Sequence, residues 1–327
     1  MKRSLGRSGI EVSALGMGCW AIGGPFYNPE GQPVGWGEVD DNESIYAVHA
    51  AMDHGITFFD TADVYGAGHS EEVLGKALKN RRDKLVVATK FGNRFDPASK
   101  TMSGQDSSPA YIRSALEASL KRLDTDYIDL YQIHEWGLDP AAAGATLDEL
   151  DRLVEEGKIR AYGWSTDDME RVRLIAARRN CTAIQNALNL FAYDPELQEF
   201  CKSENLASIN RSPLAMGLLS GKYSASAAFD GADIRSGSQD WMSYFADGKP
   251  NAEFLIILDK VKELLTVDGR SLVQGALGWI WAVSSATVPI PGIRTAAQAM
   301  ENARAMEYGP LPKEAAAQIT RLVSNKD

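Results

Sequence analysis

Cysteine is scarce in this sequence, and its few copies are scattered. The 327 residues include three, Cys19, Cys181 and Cys201, with no CxxC spacing among them. Such a set argues against a disulfide framework and a cysteine zinc site, and it fits a reducing compartment. Long apolar runs are also missing, since the longest, at residues 275–283, is far shorter than the roughly 20 residues that cross a bilayer. We therefore expect a cytoplasmic protein without a metal.

Basic residues are outnumbered in the chain. There are 34 Lys and Arg against 44 Asp and Glu, which gives a net charge of −10. This acidic balance argues against nucleic acid or an anionic membrane as the main partner. The hydrophobic share of 44% is typical of globular proteins, so disorder is excluded. The oligomeric state stays open.

Short β-rich runs alternate with amphipathic, helix-periodic stretches through most of the chain. The pattern predicts strands at 12–17, 57–60, 84–90, 128–134, 159–164, 183–186, 207–210 and 287–290, and helices at 42–54, 71–78, 110–123, 145–156, 168–179 and 195–203. Helix starts are marked by Ser108 and Asp194, each followed by Pro, and by the capping-box spacing of Ser271 with Gln274 and Thr295 with Gln298.

Eight strand–helix alternations favour a closed parallel (β/α)8 barrel, although an open doubly wound sheet gives the same local pattern. Length favours the barrel, because no linker divides the chain in two. We predict a single α/β domain over residues 1–327, with an N-terminal β-hairpin that turns at residues 7–9. Three segments after strands, 21–41, 92–108 and 212–251, are long enough to be active-site loops.

A glycine-rich segment after the first strand satisfies the dinucleotide-binding pattern GxGxxG/A. It runs from Gly16 through Gly18 to Ala21. In that fold the pattern must open a helix, whereas here Gly23, Gly24 and Pro25 follow at once, so a helix is disfavoured. We expect a loop at this position.

Polar residues stand at the ends of otherwise apolar strands. Asp60 follows Thr57-Phe58-Phe59, Tyr65 lies five residues later, and Lys90 and His134 end the next two strands. A single residue of this kind is more often structural than functional. In a closed barrel, however, all four would meet at the carboxyl-terminal mouth, where barrel enzymes have their active sites.

The four side chains suit proton transfer to an oxygen. An ammonium about 4 Å from a phenol stabilises the phenolate by roughly 4 kcal/mol at an effective dielectric near 20. Lys90 is therefore expected to lower the pKa of Tyr65. Asp60 would hold Lys90, and His134 would hydrogen-bond a carbonyl oxygen. None of these groups supplies electrons, so a hydride-donating nicotinamide cofactor is implied.

At residues 58–66 (FFDTADVYG), 86–92 (VVATKFG) and 129–134 (DLYQIH), the sequence closely resembles the aldo-keto reductases. The resemblance covers essentially the whole chain and implies a barrel that reduces aldehydes and ketones with NADPH. It makes Tyr65 the general acid, assigns its tuning to Lys90 and Asp60, and has His134 position the carbonyl.

The resemblance also implies contacts to NADP(H). The residues expected at the nicotinamide end, including the first loop, are Gly18, Cys19, Trp20, Asp60, Ser165 and Gln185. The pyrophosphate is expected on the loop at 212–222 (SPLAMGLLSGK), at Ser212, Leu214, Gly217 and Lys222. The adenosine phosphate is expected at 289–302 (PIPGIRTAAQAMEN), at Gly292, Arg294, Gln298, Glu301 and Asn302. Arg294 before the predicted N-cap Thr295 favours a 2′-phosphate, because an anion there would meet a guanidinium and a helix N-terminus. Arg235 is a further candidate cation or a solvated surface residue.

Two positions depart from the family pattern. Thr166 follows Ser165 where the family commonly has Asn, and Arg211 precedes Ser212 where an aromatic residue usually stacks on the nicotinamide. A planar guanidinium can also stack, but it should repel the cationic oxidised ring. Arg211 is therefore expected to disfavour NADP⁺ relative to NADPH.

Three classes of function remain open at this point. The first is an NADPH-dependent reductase of a soluble, possibly sugar-like aldehyde or ketone; the second is a regulatory subunit that binds NADPH with little turnover; the third is a barrel hydrolase with Asp60 and Glu135 as paired carboxylates. The third leaves Tyr65, Lys90 and Arg294 without roles. The aromatic residues that could form the wall of the substrate pocket are Trp20, Phe26, Tyr27, Trp136, Trp241 and Tyr244.

Overall fold

The chain begins with a β-hairpin that closes one end of the molecule. In the computed structural model, which describes residues 1–229, 231–237, 239 and 241–324, β1 (Lys2–Ser4) pairs antiparallel with β2 (Glu11–Ser13). The turn between them contains Gly6 at φ 53°, where a Cβ would lie 2.3 Å from a backbone carbonyl oxygen, so only glycine fits. Leu5, Ile10 and Val12 of this hairpin pack into the barrel interior. The predicted hairpin is confirmed.

The remaining strands and the helices alternate along the chain. The strands are β3 (Gly16–Gly18), β4 (Phe58–Asp60), β5 (Val86–Phe91), β6 (Asn93–Asp96), β7 (Thr101–Gln105), β8 (Ile128–Ile133), β9 (Ile159–Ser165), β10 (Cys181–Ala187), β11 (Ala207–Arg211), β12 (Phe245–Ala246), β13 (Lys249–Pro250) and β14 (Thr287–Pro289). The helices are α1 (Asp41–Asp53), α2 (His69–Leu78), α3 (Pro109–Leu123), α4 (Gly144–Glu155), α5 (Met169–Ala176), α6 (Pro195–Ser203), α7 (Ala252–Leu265), α8 (Leu272–Val283), α9 (Ala296–Tyr308) and α10 (Lys313–Ser324).

Eight parallel strands form the central sheet, in the order β14-β11-β10-β9-β8-β5-β4-β3. Its two edges meet, because the amide N–H of Gly18 in β3 donates to the carbonyl oxygen of Pro291, at 2.9 Å, and Gly18 bridges Gly292. The sheet is therefore a (β/α)8 barrel, as predicted, and the open doubly wound alternative is wrong. The predicted strand at 12–17 is in fact two short strands, β2 of the hairpin and β3 of the barrel.

Side-chain caps explain where several helices begin. Ser108 and Asp194 accept hydrogen bonds from backbone N–H groups in the first turns of α3 and α6, and Ser271 with Gln274 forms a complete capping box on α8. At α9, Thr295 caps the helix, but the Gln298 side chain accepts from the Arg294 N–H instead of completing a box. The dinucleotide-like glycine segment leads into a short 3-10 turn rather than an α-helix, so rejecting that pattern was right.

Three long segments lie at the carboxyl-terminal end of the barrel strands and contact each other. The segment after β5 forms the β6–β7 hairpin, and the segment after β11 contains the β12–β13 hairpin. The segment after β3 contacts both, because Tyr27 bridges Thr101 and Trp36 bridges Asp233. Together they enclose the mouth of the barrel. Within the part of the chain that the structure describes, none of the helices has the length and apolarity of a membrane span.

Candidate active site

A buried lysine lies at the centre of the barrel mouth. Lys90 of β5 is fully buried, and its Nζ lies 2.5 Å from Oδ1 of Asp60, the last residue of β4. The same ammonium donates to the carbonyl oxygen of Thr61 at 2.8 Å and to the Tyr65 hydroxyl at 3.2 Å. Adjacent parallel strands place Asp60 and Lys90 side by side, and the loop after β4 returns Tyr65 to them. The structure thus joins three of the four predicted catalytic residues through a single amine.

The Asp60 carboxylate is held from its other oxygen as well. Gln132 and Gln185 donate their side-chain amides to Oδ2 at 2.9 and 2.8 Å. Gln132 is a site residue that the sequence analysis missed. Its signal was a polar residue between Leu130 and His134, on the face of β8 that points into the barrel. With the amide nitrogen of Gln185 committed, only its carbonyl oxygen is free to accept from a cofactor amide.

His134 lies beside the phenol of Tyr65. The centroids of the two rings are 5.9 Å apart, and the ring planes are perpendicular. The backbone N–H of His134 donates to the carbonyl oxygen of Phe91, and the side-chain amide of Asn93 donates to the carbonyl oxygen of His134, which fixes the position of His134. The Nδ1 atom is buried without a hydrogen-bond partner among the residues that the structure describes. Burial lowers the pKa of His134 well below its usual value, and the charges of Lys90 and Arg211 lower it further. A neutral imidazole therefore stands at the site.

Burial outweighs the lysine in setting the acidity of Tyr65. Loss of solvent raises the pKa of its phenol above the ordinary value of 10.0, although the Lys90 charge and hydrogen bond pull it down. The expectation that Lys90 brings the pKa below that of a free tyrosine is therefore wrong. The pKa of Lys90 is raised despite its burial, because Asp60 and Tyr65 stabilise the cation. The phenol stays protonated and the amine stays charged at neutral pH.

These residues face a cavity of about 990 Å³. Most of the sequence-predicted contact residues line it: Gly18, Cys19, Trp20, Asp60, Tyr65, His134, Trp136, Ser165, Gln185, Arg211, Ser212, Leu214, Gly217, Lys222, Gly292, Arg294 and Gln298. Glu301 and Asn302 lie further along α9 and do not line the cavity. Of the other candidate aromatics, Phe26 and Trp241 line it, whereas Tyr27 and Tyr244 do not.

The loop after β11 has an unusual backbone. Ser212, Ala215, Met216 and Gly217 all have positive φ, between 48° and 92°. Three of these are not glycine, and such conformations are strained and concentrate at functional sites. Successive residues near the left-handed region form concave sets of N–H groups that bind anions. This cavity wall therefore fits a phosphate-bearing ligand.

Arg294 stands at the far end of the cavity, directly before the N-cap of α9. Its guanidinium donates to the carbonyl oxygens of Trp36 at 3.1 Å and Glu38 at 2.6 Å, which ties α9 to the segment after β3. The remaining N–H groups and the helix N-terminus are still available to an anion. The residues present thus fit a dinucleotide with phosphates at the β11 loop and at α9.

A family model supports the same assignment. The model of the Aldo/keto reductase family matches residues 14–324. The chain belongs to the aldo/keto reductase family. It is 34% identical over 301 residues to the aldo-keto reductase YhdN of Bacillus subtilis, an alignment covering 90% of this chain and 85% of YhdN. The resemblance that the sequence analysis drew is confirmed.

Solved structures of other aldo/keto reductases superimpose on this one. A glycerol dehydrogenase of Gluconobacter oxydans is 32% identical with a TM-score of 0.81, covering 96% of this chain and 92% of that one. A Klebsiella pneumoniae aldo/keto reductase in complex with NADP and acetate is 25% identical with a TM-score of 0.70, covering 97% and 94%.

The two departures from the aldo/keto reductase pattern have structural explanations. Thr166 turns away from ligand binding, since its hydroxyl accepts from the Asp168 N–H at the start of α5. Arg211 forms an ion pair with Asp167 while lining the cavity. The side chain of Arg211 is 39% exposed, so the aromatic position of the family is filled here by a paired cation.

Two other polar candidates of this aldo/keto reductase have internal partners. Arg235 is buried rather than solvated, and it pairs with Asp233 at 2.6 Å and with the Tyr223 hydroxyl at 2.6 Å. Glu135 accepts from Ser107 and does not line the cavity. Because Asp60 is bound to Lys90 and Glu135 lies outside the cavity, the paired-carboxylate hydrolase is not supported.

Proposed function

We propose that this protein reduces an aldehyde or ketone to the alcohol, with NADPH as the hydride donor and Tyr65 as the proton donor. The observation that carries the proposal is the Lys90 ammonium, within 2.5 Å of Asp60 and 3.2 Å of the Tyr65 hydroxyl at the base of the cavity. The barrel and its hairpin, residues 1–327, would act as one catalytic domain. The three cysteines are free and buried, which fits the cytoplasmic location we propose.

Residues along the cavity would hold NADP(H), which supplies a hydride at its nicotinamide when bound. Ser165 and the free carbonyl oxygen of Gln185 are suited to the carboxamide. The positive-φ residues of the loop after β11, Ser212, Ala215, Met216 and Gly217, are suited to the pyrophosphate, and Arg294 to a 2′-phosphate. The presence of NADP in the Klebsiella pneumoniae relative supports this choice of cofactor.

The proton comes from the Tyr65 hydroxyl. As the carbonyl carbon gains the hydride, the carbon–oxygen π pair moves onto oxygen, and that oxygen takes the phenolic proton to become the alcohol hydroxyl. The adjacent Lys90 ammonium stabilises the phenolate that remains and can return a proton to it. Over the cycle one carbonyl, one NADPH and one proton give one alcohol and one NADP⁺.

His134 orients the carbonyl in this scheme. A neutral imidazole donates one hydrogen bond to the carbonyl oxygen and does not compete as an acid with the tyrosine. Its ring lies 5.9 Å from the Tyr65 ring, so both donors would serve the same carbonyl oxygen. Positioning of this kind accelerates a reaction by holding the reacting atoms in a productive geometry.

The test is the Tyr65→Phe variant with a panel of aldehydes and ketones. We expect kcat to fall by about 10²- to 10⁴-fold, while NADPH binding measured by fluorescence stays within about twofold. Phe retains the ring that packs on Trp20, so the fold is kept. Full activity of this variant would place the proton donor elsewhere. NADPH binding without turnover of any carbonyl by the wild-type protein would favour the regulatory class instead.

A further inference from the structure

Resting on the proposed function, we infer that the carbonyl substrate carries an aromatic ring and few hydroxyl groups. The wall of the cavity beside Tyr65 and His134 is built largely of aromatic side chains. Trp20, Trp136 and Trp241 line it together with Phe26. This replaces the earlier expectation of a sugar-like compound with a neutral aryl aldehyde or aryl ketone.

The indole of Trp20 is the centre of this wall. It stacks on Tyr65 with ring centroids 5.8 Å apart and planes at 22°, and Trp241 lies 6.5 Å away at 39°. The indole N–H groups of both tryptophans are already used, by the Val34 carbonyl at 3.1 Å and the Gln239 side chain at 2.9 Å. What these residues offer a ligand is therefore their apolar ring surface, next to the proton donor.

Two of the tryptophans are open to solvent. Trp136 is 60% exposed and Trp241 is 56% exposed, and among the described residues they are the only tryptophans in the exposed class. Both line the same cavity. Exposed apolar side chains grouped along one cavity are typical of a binding surface, and a planar ring placed against them removes apolar surface from solvent.

Most polar side chains of the same wall are committed to the protein. The buried indole N–H of Trp36 has no partner among the described residues and could donate to one polar atom of a ligand. Asn93 donates to the His134 carbonyl and accepts from Gln105, so both ends of its amide are used. In the same way, Asn28 is bonded at both ends to Gln32. A ligand hydroxyl placed here would lose its water without gaining a partner, which costs affinity.

Gln239 also uses both ends of its amide, donating to the Pro33 carbonyl and accepting from Trp241. Glu30 is an exposed carboxylate that also lines the cavity. A single carboxylate can bind one hydroxyl or amine, but it cannot recognise the several hydroxyls of a sugar. It would also repel a negatively charged substrate.

The experiment compares kcat/KM for benzaldehyde, cyclohexanecarboxaldehyde and glyceraldehyde with saturating NADPH. The first two have the same number of carbon atoms and differ in the planarity of the ring. We expect benzaldehyde to be preferred over cyclohexanecarboxaldehyde by about tenfold, the upper range of an aromatic contact beyond its area. Glyceraldehyde should be the poorest of the three.

Variants separate the contribution of the wall from the reactivity of the aldehydes. Trp241→Leu and Trp136→Leu should each bring the benzaldehyde preference to within about threefold of unity. Both residues are exposed, so neither change threatens folding. Tyr46→Leu, on the outer face of α1 and 66% exposed, is the matched control and should leave the preference unchanged.

A preference for glyceraldehyde, or a benzaldehyde preference that neither tryptophan variant alters, overturns the inference while leaving the proposed reduction intact. If none of the three aldehydes oxidises NADPH although the cofactor binds, the proposed function is overturned and this inference falls with it. The two failures are therefore distinguishable in one set of assays.

Discussion

Arg211 at the end of β11 donates to Asp167, which follows β9, so the two side chains form an ion pair that spans the end of the intervening strand β10. Arg211 also lines the cavity and is close enough to lower the pKa values of Tyr65 and His134. The cation where the family usually has an aromatic residue is therefore partly neutralised by Asp167. Both side chains are more than a third exposed, so solvent screens the pair.

This pairing predicts how the protein discriminates the two redox forms of its cofactor. Arg211→Tyr should strengthen NADP⁺ binding more than NADPH binding, because it removes a cation from beside the oxidised ring. Asp167→Asn should have the opposite effect, about two- to fivefold, because it leaves Arg211 uncompensated. Dissociation constants for both forms, measured by fluorescence for each variant, provide the check. Equal changes in the two constants would mean that Arg211 does not face the nicotinamide.

Lys90 is predicted to support both stability and turnover. Lys90→Met leaves the Asp60 carboxylate buried without its cation, which should cost about 3–5 kcal/mol of unfolding free energy. It should also reduce kcat strongly, and it should move the alkaline loss of reduction to higher pH, because the cation that lowers the pKa of Tyr65 is gone.

The double variant Asp60→Asn/Lys90→Met separates these effects. Removing the carboxylate as well should recover most of the stability in urea unfolding, because no unpaired charge remains. Turnover should stay low, since the phenolate would still have no cation beside it. Recovery of activity together with stability, or a pH profile that does not move in the single variant, would contradict the role assigned to Lys90.

Much of the barrel, and the meeting of Asp60, Tyr65 and Lys90 at its mouth, could be predicted from local pattern alone. The apolar run that forms β8 was recognisable as a strand, and His134 follows its last residue. The sequence therefore placed His134 at the mouth of the barrel. Side-chain pairs between distant segments could not be predicted in that way. Asp167 is 44 residues from Arg211, and Gln132 is 72 residues from Asp60, so only closure of the barrel reveals these contacts.

The direction of the pKa shift of Tyr65 also could not be predicted from the sequence. The opposing effects of burial and of Lys90 on Tyr65 can be weighed only when burial is known. The split of the predicted first strand into β2 and β3 has a similar cause. Val12 and Met17 are both buried, but Val12 lies in a strand that pairs within the hairpin and Met17 in a strand that pairs within the barrel.

Arg294 is predicted to select the phosphorylated cofactor. Arg294→Ala should weaken NADPH binding by about 10- to 100-fold and NADH binding far less. Only NADPH carries the 2′-phosphate whose charge-assisted hydrogen bond to the guanidinium would be lost. The guanidinium also holds the carbonyl oxygens of Trp36 and Glu38, so loosening of that segment alone would weaken both cofactors equally. Arg304→Ala, exposed on the same helix, is the control. Parallel losses for NADPH and NADH would move the 2′-phosphate site away from Arg294.

Asp63 is predicted to make the protein less stable as the pH rises. It is 1% exposed, its Oδ1 has no hydrogen-bond partner among the described residues, and the nearby Arg122 is already paired with Glu71 at 2.7 Å. Burial, with a further contribution from Glu71, raises the pKa of Asp63 well above its ordinary value of 3.8. Between these two values the folded state binds a proton that the unfolded state has lost, so the free energy of unfolding falls with increasing pH until the folded-state pKa is passed.

Asp63→Asn should remove this dependence, since the amide has nearly the same shape as the protonated carboxyl and does not titrate. Urea unfolding should show the variant more stable than the wild type by about 1 kcal/mol or more at neutral pH. The difference should shrink as the pH falls through 3.8 and vanish well below it, where Asp63 is protonated in both states. Glu155→Gln, an exposed acid-to-amide change on α4, should show no such trend. If Asp63→Asn is instead less stable at neutral pH than at low pH relative to the wild type, then Asp63 is held in the fold as an anion, and its charge stabilises the loop that carries Tyr65.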